Sequence, residues 1–153
     1  MYALHRRVIL LWSIRVLVVA AVIGIVAAVV AAVALQRSPL IGAGIGAAVL
    51  AFGVVHAVFH YRRWRFELQE DALELQRGVF THVDSSVPYV RVQHVDTQRN
   101  VLSRLLGLST IVVYTAGSRG ADVAIPGLRP GRARDLHDQL RELAISSEPE
   151  DGV

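Results

Sequence analysis

A membrane-embedded α-helical hairpin followed by an α+β, mainly β, domain is the fold class this sequence predicts. Three observations carry it. Residues 16–35 and 40–59 form two apolar runs without Arg, Asp or Glu. All thirteen acidic residues fall beyond residue 64. From residue 64 onward, apolar and polar residues alternate with the period of a half-buried strand.

The first run, twenty residues long, spans about 30 Å as a helix, the thickness of a bilayer's hydrocarbon core. Gln36, Arg37, Ser38 and Pro39 leave room only for a tight turn before the second run, which only His56 interrupts. Each helix satisfies its own backbone hydrogen bonds, the condition for residence in lipid. The expected layout is a cytoplasmic or interfacial N-terminus (1–15), spans at 16–35 and 40–60, and an external turn at 36–39. A cytoplasmic domain (61–145) and a disordered acidic tail (146–153) follow.

Orientation follows from the arginines. Arg6, Arg7 and Arg15 precede the first run, Arg62 and Arg63 follow the second, and the turn holds only Arg37. The positive-inside bias puts both termini in the cytoplasm, the expected orientation of a multi-pass protein of an inner, or cell, membrane. Trp12, Tyr61 and Trp64 are expected at the membrane–water interface, and Arg15 is near enough to it to snorkel. A signal peptide is the rival reading of the first run, with Ala32-Val33-Ala34 as the cleavage site. The uncharged stretch exceeds the usual length of about 7–15 residues, which argues for an anchor.

Small residues indicate how the hairpin packs. Ala20, Gly24, Ala28 and Ala32 recur every fourth residue, and Gly42 and Gly46 repeat the spacing on the second helix. Such ridges let two backbones approach closely, within one hairpin or between two copies of the chain.

In the domain, Trp64, Phe66 and Leu68 mark a first strand, Glu70-Asp71 a turn, and Leu73 and Leu75 a second strand. Gly78 reads as a bend before a strand over 79–83. Pro88 marks an edge or strand start, and Val90, Val92 and Val95 a strand with a one-residue slip. Asn100 is an N-cap for a short helical turn over 101–106, closed by Gly107. Residues 110–114 are the strongest strand signal, 117–120 a turn and 121–125 a further strand. Pro126, Gly127 and Pro130 are expected to end the sheet. Ala133, Leu136, Leu140, Leu143 and Ala144 share one face of a closing helix.

The charge balance excludes a simple nucleic-acid reading. The segment from residue 65 sets ten arginines against thirteen acids, so the basic pI belongs to the anchor. Every basic residue is Arg and none Lys, a hint of a GC-rich bacterial source. With no cysteine, disulfides and thiolate chemistry are excluded.

The run Val87-Pro88-Tyr89-Val90-Arg91-Val92-Gln93-His94-Val95, then Leu102-Ser103-Arg104-Leu105-Leu106-Gly107-Leu108 and Val112-Val113-Tyr114-Thr115-Ala116-Gly117, resembles the bacterial pleckstrin-homology-like (PH-like) domain of YdbS-type membrane proteins. Leu73–Phe80 fits the same pattern, as do the opening Leu4-His5-Arg6-Arg7, Trp12 and the twin spans, so the resemblance covers nearly the whole chain. It implies an antiparallel PH-like β-sandwich or barrel capped by the C-terminal helix, with no enzyme activity, no cofactor and no agreed ligand. It also implies work beside a larger membrane paralogue carrying several such domains.

The function these readings support is a membrane-anchored interaction or scaffold module with the bilayer and a membrane or envelope-stress protein as partners. A homo-oligomer is compatible with it. The alternative is a sensor of anionic lipid or envelope stress; a transporter subunit or membrane enzyme ranks behind both. Inositide phosphates need clustered cations in the first hairpin loop, where Glu70-Asp71 would repel them. His56 and His60 have metal-site spacing but no third ligand nearby, and read as interfacial histidines. His94 and Asp96 share a strand face and read as a hydrogen-bonded pair. No catalytic residue, metal ligand or cofactor site is assigned.

Overall fold

The computed structural model describes residues 2–116 and 122–147. The chain divides into two units: residues 9–62 form one, and residues 1–8 join residues 63–153 in the other.

Strand β1 is Tyr2–Ala3, and two long helices follow, α1 (Arg7–Val33) and α2 (Leu40–Arg63). Both are long and apolar enough to cross a membrane. Helix α1 starts at Arg7 instead of residue 16: Val8–Trp12 and Ile14 extend the apolar run with no Gly or Pro to break it, and Arg15 is itself a good helix former. It ends at Val33, before the expected residue 35, and α2 continues past residue 60 to Arg63.

Within this unit the two helices meet at their glycines. A methyl group on Gly24 would come within 3.2 Å of the Gly42 carbonyl and the Gly46 Cα, and one on Gly46 within 3.2 Å of the Ala20 carbonyl. A methyl group on Gly42 would collide with the backbone of Ala28.

The second unit holds two antiparallel sheets. Chain order runs β2 (Arg65–Leu68), β3 (Ala72–Arg77), β4 (Val83–Pro88), a 3-10 turn (Tyr89–Arg91), β5 (Val92–Gln98), α3 (Val101–Leu105), β6 (Ser109–Thr115), β7 (Val123–Leu128) and α4 (Pro130–Ser146). Strands β1-β2-β3-β4 make one sheet in that order and β5-β6-β7 the other. Alternate residues point inward as the period of two requires: Leu73 and Leu75, Ile111 and Val113, and Val123 and Ile125 are buried. Helix α4 closes the core with Ala133, Leu136 and Leu140, all fully buried, and starts with Pro130 in its first turn. Asn100 caps α3 as expected, its Oδ1 accepting from the Ser103 N–H at 2.8 Å.

Several expectations need correcting. The N-terminus is not merely an interfacial tail: Tyr2 pairs with Phe66 and Ala3 with Arg65, adding a fourth strand to the first sheet. The domain therefore begins before the hairpin, not at residue 61. Residues 79–82 form the β3–β4 turn, and β4 starts at Val83 and ends at Pro88. Pro126 and Gly127 lie inside β7. They are tolerated because β7 is an edge strand and its register with β6 shifts between Ser109 and Ile111. Ser146 belongs to α4 and not to a disordered tail. The expected turn at 117–120, and residues 148–153 of the tail, lie outside the described residues.

Candidate functional site: hairpin flanks and the β5–α4 groove

Both ends of the hairpin emerge from one sheet. Leu4 and Val8 are buried, and the His5 N–H donates to the Gly127 carbonyl at 2.8 Å. Tyr2 places its ring 5.7 Å from that of Phe66, and the Arg132 guanidinium lies 4.4 Å above the Tyr2 ring. Arg7 Nη1 donates to the Leu106 carbonyl at the C-terminal end of α3, at 3.3 Å. Burial, with the nearby cations of Arg129 and Arg7, holds the His5 imidazole below its ordinary pKa.

The residues expected at the membrane interface are placed as follows. Arg6 and Arg7 are exposed beside the start of α1, Arg15 is exposed within it, and Arg62 and Arg63 are exposed at the end of α2. Tyr61 is half-buried, as is Trp12, whose ring centroid lies 4.7 Å from that of His60. Trp64 departs from expectation: it is 2% exposed and sits edge-on to Phe66. Its position directly before β2 makes it a core residue instead of a lipid-facing anchor.

Of the small-residue ridge, Ala20, Gly24, Ala28, Gly42 and Gly46 come together, whereas Ala32 is exposed and Ala31 is buried. A step of four overshoots the 3.6-residue turn by about 40° each time, so the facing position has slipped back by one after three steps.

His56 and His60 stack with centroids 6.0 Å apart. Among the described residues no group of three His, Asp or Glu side chains is placed to hold a metal ion. His94 stacks nearly parallel on Tyr114, centroids 4.2 Å apart, a contact across the β5–β6 pair that the reading of a His94–Asp96 pair missed. The acidic β2–β3 turn is fastened from below by buried Tyr89, which donates through its N–H to the Asp71 carbonyl at 3.1 Å and through its hydroxyl to the Gln69 carbonyl at 2.9 Å. Burial raises the Tyr89 pKa, so the phenol stays neutral and donating.

Beside β5 runs a groove of about 390 Å³ lined by Val92–Val95 and by His137, Arg141, Ala144 and Ile145 of α4. Among the described residues strand β5 is an edge, paired only with β6. Its register shifts between Val92 and His94, so none of the described residues pairs with Gln93 across the strands. The Val95 carbonyl turns away from β6 toward α4, and His137 Nε2 donates to it at 3.0 Å. The slip in the Val92–Val95 pattern was the sequence's trace of this bulge. The groove itself had none, because its walls are distant in the chain.

Among the described residues, seven strands in two antiparallel sheets closed by a C-terminal helix, with a membrane hairpin inserted after the first strand, define a membrane-anchored PH-like protein. The family model for the bacterial PH domain matches residues 8–144, and the chain belongs to that family. It is similar to the UPF0699 transmembrane protein YdbS of Bacillus subtilis (strain 168), 34% identical over 106 residues, which is 66% of this chain and 65% of that protein. The aligned stretch thus spans a little under two thirds of that relative's length. No solved structure matches.

Proposed function

We propose that this chain is a non-catalytic interaction module of the bacterial inner membrane that binds another membrane protein along β5. The partner's chemistry is an extended segment, from a PH-like or envelope-stress membrane protein such as a larger paralogue with several such domains. The observation that carries this reading is the β5 edge, which among the described residues pairs with no strand beyond β6 and leaves a groove beside α4. Gln93 bulges from the ladder there and lines a groove whose other wall is the half-buried Ala144 and exposed Ile145. An added strand takes main-chain hydrogen bonds from an edge and side-chain specificity from a groove beside it, without any need for charge matching.

Topology supports the cytoplasmic setting. Because Ala3 pairs with Arg65, the two hairpin flanks lie on the same side of any membrane the helices cross. The arginine bias makes that side the cytoplasm. The net negative charge from residue 65 onward and the acidic β2–β3 turn weigh against a sensor built on headgroup phosphates.

A photo-reactive amino acid at Gln93 of the full-length chain, irradiated in native membranes, tests the reading. A covalent adduct with a second membrane protein, lost in Ile145→Arg, is expected. Adducts to lipid alone, or an adduct indifferent to Ile145→Arg, would contradict binding at this groove.

A further inference from the structure

The α4 wall of the β5–α4 groove changes chemistry along its length. His137, Arg141 and Ile145 stand four residues apart and line the groove as one stripe, with Ala144 beside Ile145. His137 is already engaged by the strand, its Nε2 donating to the Val95 carbonyl at 3.0 Å. Half-buried Ala144 and exposed Ile145 make the other end apolar. Arg141, exposed between them, makes no hydrogen bond or ion pair among the described residues.

The groove is basic in a part of the chain where acids outnumber arginines thirteen to ten. Its ionisable lining is His94, His137 and Arg141, and among the described residues no carboxylate lines it. Asp138 and Glu142 share the outer side of α4 with Arg141, and neither forms an ion pair with the guanidinium. Asp138 is placed instead against His137 Nδ1 at 3.2 Å, and Glu142 also lines the cleft beside Glu70. Spacing fixes what can lie along the stripe. Four residues of α-helix rise about 6 Å, and same-face side chains of an extended segment recur roughly every 6.6 Å. Alternate side chains of such a segment therefore meet Arg141 and Ile145. Its main-chain pairing centres on the bulge at Gln93, because His137 already takes the Val95 carbonyl.

We propose that the groove selects an extended segment bearing a carboxylate and, two residues away, an apolar side chain. The carboxylate pairs with Arg141, and the apolar group covers Ala144 and Ile145. Pairing with the strand edge needs no charge match; the arginine chooses among the segments able to pair. This inference rests on the partner-binding reading of β5 and adds the partner's side-chain chemistry to it.

The probe is p-benzoylphenylalanine at Gln93 of the full-length chain, irradiated in native membranes. The protein adduct should fall roughly five-fold in Arg141→Glu and persist in Arg141→Lys, which keeps the charge. Arg134→Glu, an equal charge change at an exposed position of α4 outside the groove, should leave the adduct unchanged. Sequencing the cross-linked peptide should find Asp or Glu two residues from an apolar residue beside the adduct. A peptide without a carboxylate there would overturn the proposal. An adduct lost in Ile145→Arg but indifferent to Arg141→Glu would overturn the acid preference and leave the groove reading standing. An equal loss in Arg134→Glu would assign the effect to overall charge and overturn it too. An adduct within residues 148–153 of this chain would make its own acidic tail the occupant, which also overturns it. Absence of any protein adduct would overturn the groove reading and this inference together.

Discussion

Val8 lies so close to Gly127 that a methyl group on the glycine would come within 2.6 Å of the Val8 Cβ. Gly127 also holds a φ of +69°, which a side chain strains, and offers its carbonyl to the N–H of His5. One residue in an edge strand thus clamps the segment that carries β1 and opens α1.

Gly127→Ala should loosen that clamp. Overpacking against a branched side chain, added to a left-handed backbone, costs roughly 1–3 kcal/mol. The melting temperature of the detergent-solubilised full chain should fall accordingly. Gly131→Ala, where an added Cβ meets nothing within 4 Å, should leave it unchanged or slightly raised. Equal effects at both positions would contradict the close approach.

Completion of the sheet from the N-terminus gives a second expectation. A soluble fragment of residues 65–145 lacks β1 and the buried side chains of Leu4 and Val8, leaving the β2 edge bare. Joining residues 2–8 to residue 63 through a short flexible linker in place of the hairpin should give a fragment that melts at a higher temperature. Identical melting curves would mean that β1 contributes nothing.

The C-terminal helix supplies the third. Leu140 is fully buried at the centre of the α4 face, and Leu140→Ala should cost roughly 2–5 kcal/mol, read as a lowered denaturation midpoint. An unchanged midpoint would mean that α4 does not close the core.

The clamp should also respond to pH. The folded protein holds the His5 pKa below the ordinary value of 6.5, so an unfolded chain takes up a proton there before the folded one does. Stability from this site is fully present above pH 6.5 and is lost as pH falls through 6.5 toward the lowered folded pKa. Melting curves recorded across this window should show His5→Gln flattening the decline. A parallel decline in both proteins would assign it to other groups.

The hairpin, the core strands and α4 were legible because each carries its own periodicity over many residues. Strand β1 was not: two residues cannot display an alternation, and their partner lies on the far side of two long helices. Pro126 and Gly127 read as breakers by local rules, and only the tertiary position of β7, an edge with a register shift, lets them stay in a strand. Trp64 read as an interfacial aromatic because it stands just beyond the end of the second apolar run. Its burial depends on the direction in which β2 leaves α2, which no local pattern encodes. The β5–α4 groove joins residues more than forty positions apart, so no local pattern showed it; the slip in the Val92–Val95 pattern marked only the bulge beside it.

The central claim, a two-span hairpin whose ends return to one cytoplasmic sheet, is tested most directly by cysteine accessibility in intact cells. A membrane-impermeant thiol reagent should label Ser38→Cys from outside and should reach Tyr2→Cys and Glu70→Cys only after the membrane is opened. Labelling of Glu70→Cys in intact cells, or of Tyr2→Cys and Glu70→Cys from opposite sides, would contradict it.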